Sequence, residues 1–538
     1  MPIGRAIAIA AAGLAGLLAA SASAAAEETW DYRVVPGDTL IGVRDRLLVP
    51  GSDWRVLQRL NHVDNPRRLM PASTLRIPLK MLRLQPLFAD VLYTHGDVRV
   101  ERAGATAQPL AGGERVNTGD LVRTGPQSST VLRFGDGARV VVRPDSLLRV
   151  EQSARLGSSP TVDTRLRLDS GGADTQVPKQ SARRFEIRTP VANLGVRGTE
   201  FRTRASAEQT AVEVLEGNVA ATGTGTQGVN AGFGTVATAQ AVSAASPLLA
   251  APELAQLPRR IDRLPLNLPW VSSADAGTRY RAQVVDAQRP DQLLLDGLFT
   301  GHAARWSDDL PDGDYLLRVR AVDSRGLEGR DATAAFTLKA RPEPPFTTEP
   351  RAGQRTADET IGFGWTIHPG AARYRLQVAD TPDFAQPRVD RDDVTGHTLS
   401  LPLPVGTHHW RMASIRADGD TGPWGDPQQV TRVALPPPPE SQPPQTTGDG
   451  VLLVWRESAG AHYQVQVARE AGFAELLHDE QVDTPQWLLR APPAGRYFVR
   501  VRSVDADGFA GPFGAPQQVD VPSSLTWLWM LLPLVLLL

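Results

Sequence analysis

From Trp270 to Val521, apolar and polar residues alternate with period two in segments that recur about every 90 residues. Trp270, Trp365 and Trp455 open the units, at spacings of 95 and 90 residues. Each is followed by a strand-like run: YRAQV from Tyr280, YRLQV from Tyr374 and YQVQV from Tyr463. A second aromatic run then ends at a turn: GDYLLRVRAVDSRG from Gly313, GTHHWRMASIRADG from Gly406 and GRYFVRVRSVDADG from Gly495. Period-two alternation marks half-buried strands, because successive side chains point to opposite faces. It predicts three sandwich repeats, over 259–341, 351–435 and 445–522. Arg318 and Arg320, with Arg500 and Arg502, fall on the polar phase and are expected on solvated strand surface.

The same alternation runs through 91–240, where Val140 and Val142, then Val212 and Val214, take every second place. Gly119-Asp120 and Gly135-Asp136-Gly137 interrupt it where hairpins need positive φ. Gly195 and Gly198 flank Arg197, predicting a close turn before a Thr199–Thr203 strand, with Arg197 satisfying carbonyls or a carboxylate such as Glu200. Only 30–80 departs from period two. Leu40, Val43 and Leu47 have helical spacing behind Asp38 or Thr39 as N-cap. Trp54, Leu57 and Leu60 form a second helix, capped by Ser52 and closed by Asn61. With Tyr32, Val34 and Ile77 in flanking strands, the order is β-α-α-β.

The ends read differently. Arg5, an apolar run from Ala6 to Ala20 and the small residues Ala22 to Ala26 predict a cleaved export signal over 1–26, cut after Ala24 or Ala26. Residues 523–538 are hydrophobic, with Trp527 and Trp529 as interfacial aromatics, and predict a helical membrane anchor. An Ala/Pro linker over 241–258 and Pro-rich strings at Pro342–Pro350 and Pro436–Pro444 are expected to act as spacers. With 57 Lys+Arg against 59 Asp+Glu, a nucleic-acid partner is not expected. The absence of cysteine excludes disulfides, thiolate metal sites and cysteine nucleophiles.

Three resemblances follow from these residues. The run from Asp31 to Pro78, DYRVVPGDTLIGVRDRLLVPGSDWRVLQRLNHVDNPRRLMPASTLRIP, resembles the LysM module. That resemblance implies a groove for N-acetylglucosamine-containing glycan, such as peptidoglycan, between Gly37, Asp38, Thr39 and Leu40 on one loop and Asn65, Pro66, Arg67, Leu69 and Met70 on the other. Ala72 stands where that family has Gly, and Gly42 lies inside the first helix. The stretch from about Val91 to Ala239, with FEIRTPVANLGVRGTEFRTR from Phe185 and TAVEVLEGNVAAT from Thr210, resembles the FecR domain of envelope signalling proteins. The repeats resemble fibronectin type III-like sandwiches. The expected fold class is multidomain and mainly β: a small βααβ LysM module, an all-β FecR-like domain, three β-sandwich repeats and a C-terminal hydrophobic helix.

Candidate chemistry is sparse. Gly223 to Gly228, GTGTQG, matches a phosphate-loop pattern, but no helical period follows it. The Asp-rich turns at Asp323, Asp418 to Asp420 and Asp505 to Asp507 lack EF-hand spacing. His408 and His409 are adjacent on one strand and so point to opposite faces. With no hydrolase motif, no catalytic residue, cofactor or metal is assigned and no enzyme is expected. The functional expectation is a periplasmic adaptor that holds peptidoglycan through LysM, docks an envelope protein through the FecR-like domain and is tethered to a membrane by its tail. The alternative is a FecR-type signalling regulator acting with a separate membrane sensor; glycan binding by the repeats is a third reading.

Overall fold

The computed structural model describes residues 28–179, 183–271, 278–307, 309–458 and 462–523. The expected export signal, and the expected tail from 524 onward, lie outside them. The chain divides into two compact units, 1–338 and 339–538.

The first unit opens with β1 (Thr29–Arg33), α1 (Leu40–Leu47), α2 (Trp54–Leu60) and β2 (Thr74–Pro78). The strands pair antiparallel, Trp30 opposite Ile77 and Tyr32 opposite Leu75. Thr39 caps α1 by accepting from Gly42 N at 3.0 Å. Asp53, not Ser52, caps α2, accepting from Arg55 N at 3.0 Å. The Ser52 hydroxyl instead donates to Val49 O, closing the preceding turn. Leu40, Val43, Leu47, Leu57, Leu75 and Ile77 fill the core, while Trp54 and Leu60 stay half-buried.

This small core does not stand alone. Leu156, from the following β body, belongs to it. Glu28 pairs with Arg165 at 2.9 Å and Arg188 at 3.3 Å across the same junction.

The β body is one hydrogen-bonded sheet of 16 strands between Leu84 and Pro247, folded around a Val- and Leu-rich core. Its longest strands are Val162–Gln176, Asn193–Ala205 and Gln209–Thr222. The turn expected at Gly195 to Gly198 is absent, because Asn193–Ala205 runs straight through. The irregularity is a bulge: the register with the neighbouring strand shifts between Arg197 and Glu200, and Gly198 takes φ +60° there. Arg197 is exposed. GTGTQG forms a hairpin into the strand Thr226–Asn230, with no helix behind it.

The first sandwich completes this unit. Its five-stranded sheet runs in the order Arg260–Ile261, Ala332–Leu338, Gly313–Val322, Arg279–Asp286, Leu293–Thr300, facing the pair Leu266–Pro269 and Ala303–Trp306. In the second unit, Gly406–Ile415 and Gly495–Val504 occupy the corresponding positions of two further sandwiches. Trp270, Trp365 and Trp455 are buried against Tyr280, Tyr374 and Tyr463, with ring centroids 5.5, 5.6 and 5.3 Å apart. Tyr315 and Tyr497 donate to carbonyls four residues upstream, Pro311 O at 2.7 Å and Pro493 O at 2.6 Å. His408 replaces the tyrosine in the second sandwich, with Nε2 2.9 Å from Pro404 O.

The expected spacers are built into the sandwiches. The backbone of each lies so close to a loop glycine that a Cβ would meet a carbonyl oxygen. The separations are 2.8 Å at Gly329 (Leu249 O), 1.8 Å at Gly422 (Pro342 O) and 2.0 Å at Gly511 (Pro436 O). Only glycine permits that approach. Each repeat therefore begins with its Pro-rich string rather than after it.

Candidate functional site

The polar phase of the first sandwich is covered at one end. On Gly313–Val322, Arg320 is 1% exposed, because the β body covers that face. Past the strand's end the chain turns back at Glu328, which bridges to Val322. The Glu328 carboxylate is fully buried and accepts from four guanidiniums. Arg320 Nε at 2.5 Å and Arg281 Nε at 3.2 Å come from its own sandwich. Arg143 NH1 and NH2, both at 3.2 Å, and Arg204 NH1 at 2.5 Å come from the β body.

Asp331, three residues on, accepts from Arg320 NH1 at 2.9 Å and Arg202 NH1 at 3.2 Å. Arg202 NH2 also donates to Gly329 O at 2.6 Å. Around this centre Ser129 Oγ donates to Leu293 O at 2.6 Å, and Gln127 exchanges two bonds with the Asp296 backbone. Leu327 packs on Ala211 and Val236 beside it. The result is an ionic clamp between sandwich and β body.

Burying a carboxylate costs several kcal/mol unless its partners are complete. Burial alone raises the Glu328 carboxyl, but Arg143, Arg320, Arg281 and Arg204 outweigh it and hold the group well below the glutamate range. Asp331 is likewise lowered against its burial, by Arg320 and Arg202. Glu213 goes the other way, raised by burial and by the charge of Glu328. It accepts from Glu328 N at 3.0 Å, so two acids share one site.

Aligned on the turn, Glu328 corresponds to Thr421 and Ala510, and Asp331 to Trp424 and Phe513. The clamp is therefore specific to the first repeat. In the others Arg411 stacks on Trp424 at 4.4 Å and Arg500 on Phe513 at 4.2 Å. The sequence signal for the clamp is this pair of acids in a position its sister repeats fill with Thr or Ala and with a ring.

The glycan residues expected by resemblance are brought together on two adjoining loops. Leu40 N donates to Pro66 O at 2.9 Å and Leu69 N to Asp38 O at 3.3 Å. Gly37, Asn65, Arg67 and Met70 are exposed, and Pro66 is half-buried. Asp38, Leu40 and Leu69 are buried and belong to the interior instead of a groove wall. Asp38 accepts from Tyr32 OH at 2.7 Å and Val35 N at 2.9 Å and pairs with Arg46. Burial and this bond to Asp38 push the Tyr32 hydroxyl up to about 12. Thr39 is engaged in the α1 cap. Ala72 adopts φ +66°, a conformation that favours glycine.

Among the described residues no helix is long and apolar enough to cross a membrane, and no cluster of His, Asp or Glu is arranged to hold a metal. No curated protein matches the chain. Among solved structures, a candidate anti-sigma factor from Parabacteroides distasonis is 16% identical with a TM-score of 0.21, the match covering 24% of this chain and 59% of that one. The FN1–FN3 domains of chicken CNTN1 are 16% identical with a TM-score of 0.24, covering 48% and 94%. The fibronectin(III)-like modules of Clostridium thermocellum CbhA are 14% identical with a TM-score of 0.23, covering 33% and 93%. The family model described as FecR protein matches residues 120–220, so the β body contains a FecR domain, and Arg143, Arg202, Arg204 and Glu213 of the clamp lie within it.

Proposed function

We propose that this chain is a non-enzymatic regulator of the bacterial envelope, of FecR type, in which the first sandwich holds the FecR domain in a fixed presentation to a protein partner. The observation that carries this reading is the FecR match at 120–220, which includes Arg143, Arg202, Arg204 and Glu213, the β-body side of the clamp. A docking module gains from being held rigid, because the ordering cost of binding is met in advance. Export to the periplasm, tethering by the C-terminal tail and partnership with a separate membrane sensor belong to this proposal. Deletion of the gene followed by transcript profiling tests it. A narrow set of affected transcripts, restored by the wild-type chain, is the expected result. A diffuse envelope-stress response alone would reject regulation.

A second reading, a peptidoglycan-binding adaptor, is favoured by the hydrogen bonds that set the 37–40 and 65–70 loops side by side. Glycan contacts there would come from Gly37, Asn65, Pro66, Arg67 and Met70, with Asp38, Thr39, Leu40 and Leu69 shaping the loops. Sedimentation of the full chain with insoluble peptidoglycan, against an Arg67→Ala, Met70→Ala double variant, separates the outcomes. Co-sedimentation of the wild type alone supports the adaptor; failure of the folded wild type to sediment ends it.

A further inference from the structure

The three sandwiches leave the same edge of their larger sheet in three different states. Gln283, Gln377 and Gln466 pair with Asp296, Asp390 and Asp479, which aligns the edge strands Leu293–Thr300, Val389–Val394 and Leu476–Val482. In the first repeat the FecR domain covers the edge. The Gln127 amide exchanges bonds with the Asp296 N–H and C=O at 3.0 and 2.9 Å, as a neighbouring strand would, and Ser129 Oγ donates to Leu293 O at 2.6 Å. In the second repeat paired charges cross it, Arg388 with Asp380 at 2.6 Å and Arg391 with Asp393 at 3.0 Å. Charges so placed close a free edge to other strands.

The third repeat has neither device. Its register is that of the first, with a bulge at the same place, Leu294 in one and Leu477 in the other. That register turns the Asp479 N–H and C=O outward, as it does those of Asp296. Among the described residues no strand or side chain meets them there. Leu476 and Leu477 repeat the Leu293-Leu294 of the covered edge, yet are 40% and 48% exposed. Where the second repeat carries Arg388 and Arg391, the third carries Leu477 and Glu480. A strand that keeps the apolar start of a docked edge, with nothing upon it, suits addition of another strand. Its charge says which kind. Residues 470–489 hold Glu470, Glu475, Asp479, Glu480 and Asp483 and no Lys or Arg, so they repel a second copy of the same edge and match a basic segment.

We propose that Leu476–Val482 is a docking edge for an extended basic segment of a partner protein. The segment adds as a strand, with apolar side chains on Leu476 and Leu477 and its Lys or Arg among the acids. The inference stands whatever the FecR domain docks. Fluorescence anisotropy of a labelled, end-blocked Lys-Val-Lys-Val-Lys-Val-Lys peptide, titrated with the full chain at physiological ionic strength, tests it. Saturable one-to-one binding is expected, with amide exchange slowed over 476–482. A peptide of equal charge with proline at the central position should bind about tenfold more weakly, because proline cannot donate to an edge. The double variant Leu477→Arg, Glu480→Arg, which installs at exposed positions the arginines of the second repeat, should weaken the parent peptide at least about tenfold with denaturant unfolding unchanged. The proposal is overturned if the peptide does not saturate, if the proline peptide binds equally well, or if the double variant binds like the parent. It is overturned too if sedimentation velocity shows the parent chain dimerising and the double variant not, which would give the edge to a second copy.

Discussion

The first sandwich and its two sisters share a strand, a turn and an arginine, yet use them in opposite ways. In the second and third repeats Arg411 and Arg500 are capped by rings of their own domain and by Gln377 and Gln466, whose Oε1 accepts from each at 2.7–2.9 Å. In the first repeat the rings are gone, and acids at Glu328 and Asp331 recruit arginines from another domain. A self-capped face is satisfied without a neighbour; an acid-bearing one is not. Acids at two aligned positions thus let a sandwich of the same architecture clamp a neighbouring domain.

The largest effect is expected from breaking the centre of that clamp. Glu328→Ala installs the residue that the third repeat carries naturally as Ala510. It would strand Arg143, Arg320, Arg281 and Arg204 without their common carboxylate. Unfolding free energy of the 1–338 unit should fall by about 3–5 kcal/mol, the usual cost of removing one partner from a buried ionic group. Thr421→Ala, at the aligned site in the second repeat, should cost less than about 0.5 kcal/mol. Denaturant unfolding of both variants measures this. Equal losses would mean that the acids are not what separates the repeats.

Acidification should distinguish the two units next. Glu328 and Asp331 are depressed in the folded state, so their contribution is complete above the unfolded carboxylate pKa of about 4 and is lost as pH falls below it. Glu213 is raised and has the opposite sign, costing stability above its unfolded pKa and relieving that cost on protonation. Asp163 and Glu200 of this unit are raised by burial as well, but Glu328, ringed by four guanidiniums, is held well below its ordinary range, so the clamp's own net change on acidification is a loss. In the second unit the Arg–ring contacts do not titrate, and acids such as Asp390 and Asp520 sit in exposed pairs worth little. Melting of the first unit should therefore drop more steeply than that of the second below about pH 4.5. A parallel decline would reject the clamp as the source.

How much of this was legible follows from the range of each interaction. Strands and repeat units are written locally, in the alternation around Val140, Tyr280 or Tyr497, because the pleat makes burial a period-two property. Helix α1 is legible for the same reason, through Leu40, Val43 and Leu47. The burial of Arg320 was not, since polar phase implies solvent only when nothing covers the face. What covers it lies across a sequence gap of more than a hundred residues, in Arg202, Arg204 and Glu213. The Pro-rich strings misled similarly: composition identifies an extended backbone but not the glycines, Gly422 and Gly511, against which it packs. Asp38 read as a loop acid because its partner Arg46 lies a helix away.

The ring-capped side of the comparison predicts intermediate effects. Phe513→Ala removes the ring under both Arg500, at 4.2 Å, and Arg502, at 4.5 Å, and should cost about 1–2 kcal/mol in the second unit.

The smallest expected effect is the most discriminating, because it compares one aligned residue in two settings. Arg500→Ala loses two stacked rings and two hydrogen bonds to Gln466, and should cost about 1–2 kcal/mol. Arg318→Ala, at the same strand position, loses no ring and no ion pair, and borders a cavity rather than a packed core. Its cost should stay under about 0.5 kcal/mol, the ordinary range for a residue without such contacts. Were Arg318→Ala to cost as much as Arg500→Ala, the arginine would be needed by the strand itself, in every repeat and whatever surrounds it. The difference between the repeats would then lie in Glu328 and Asp331 alone. If the gap holds, Arg318 is free of structural duty in the first repeat, where it borders a cavity instead of stacked rings.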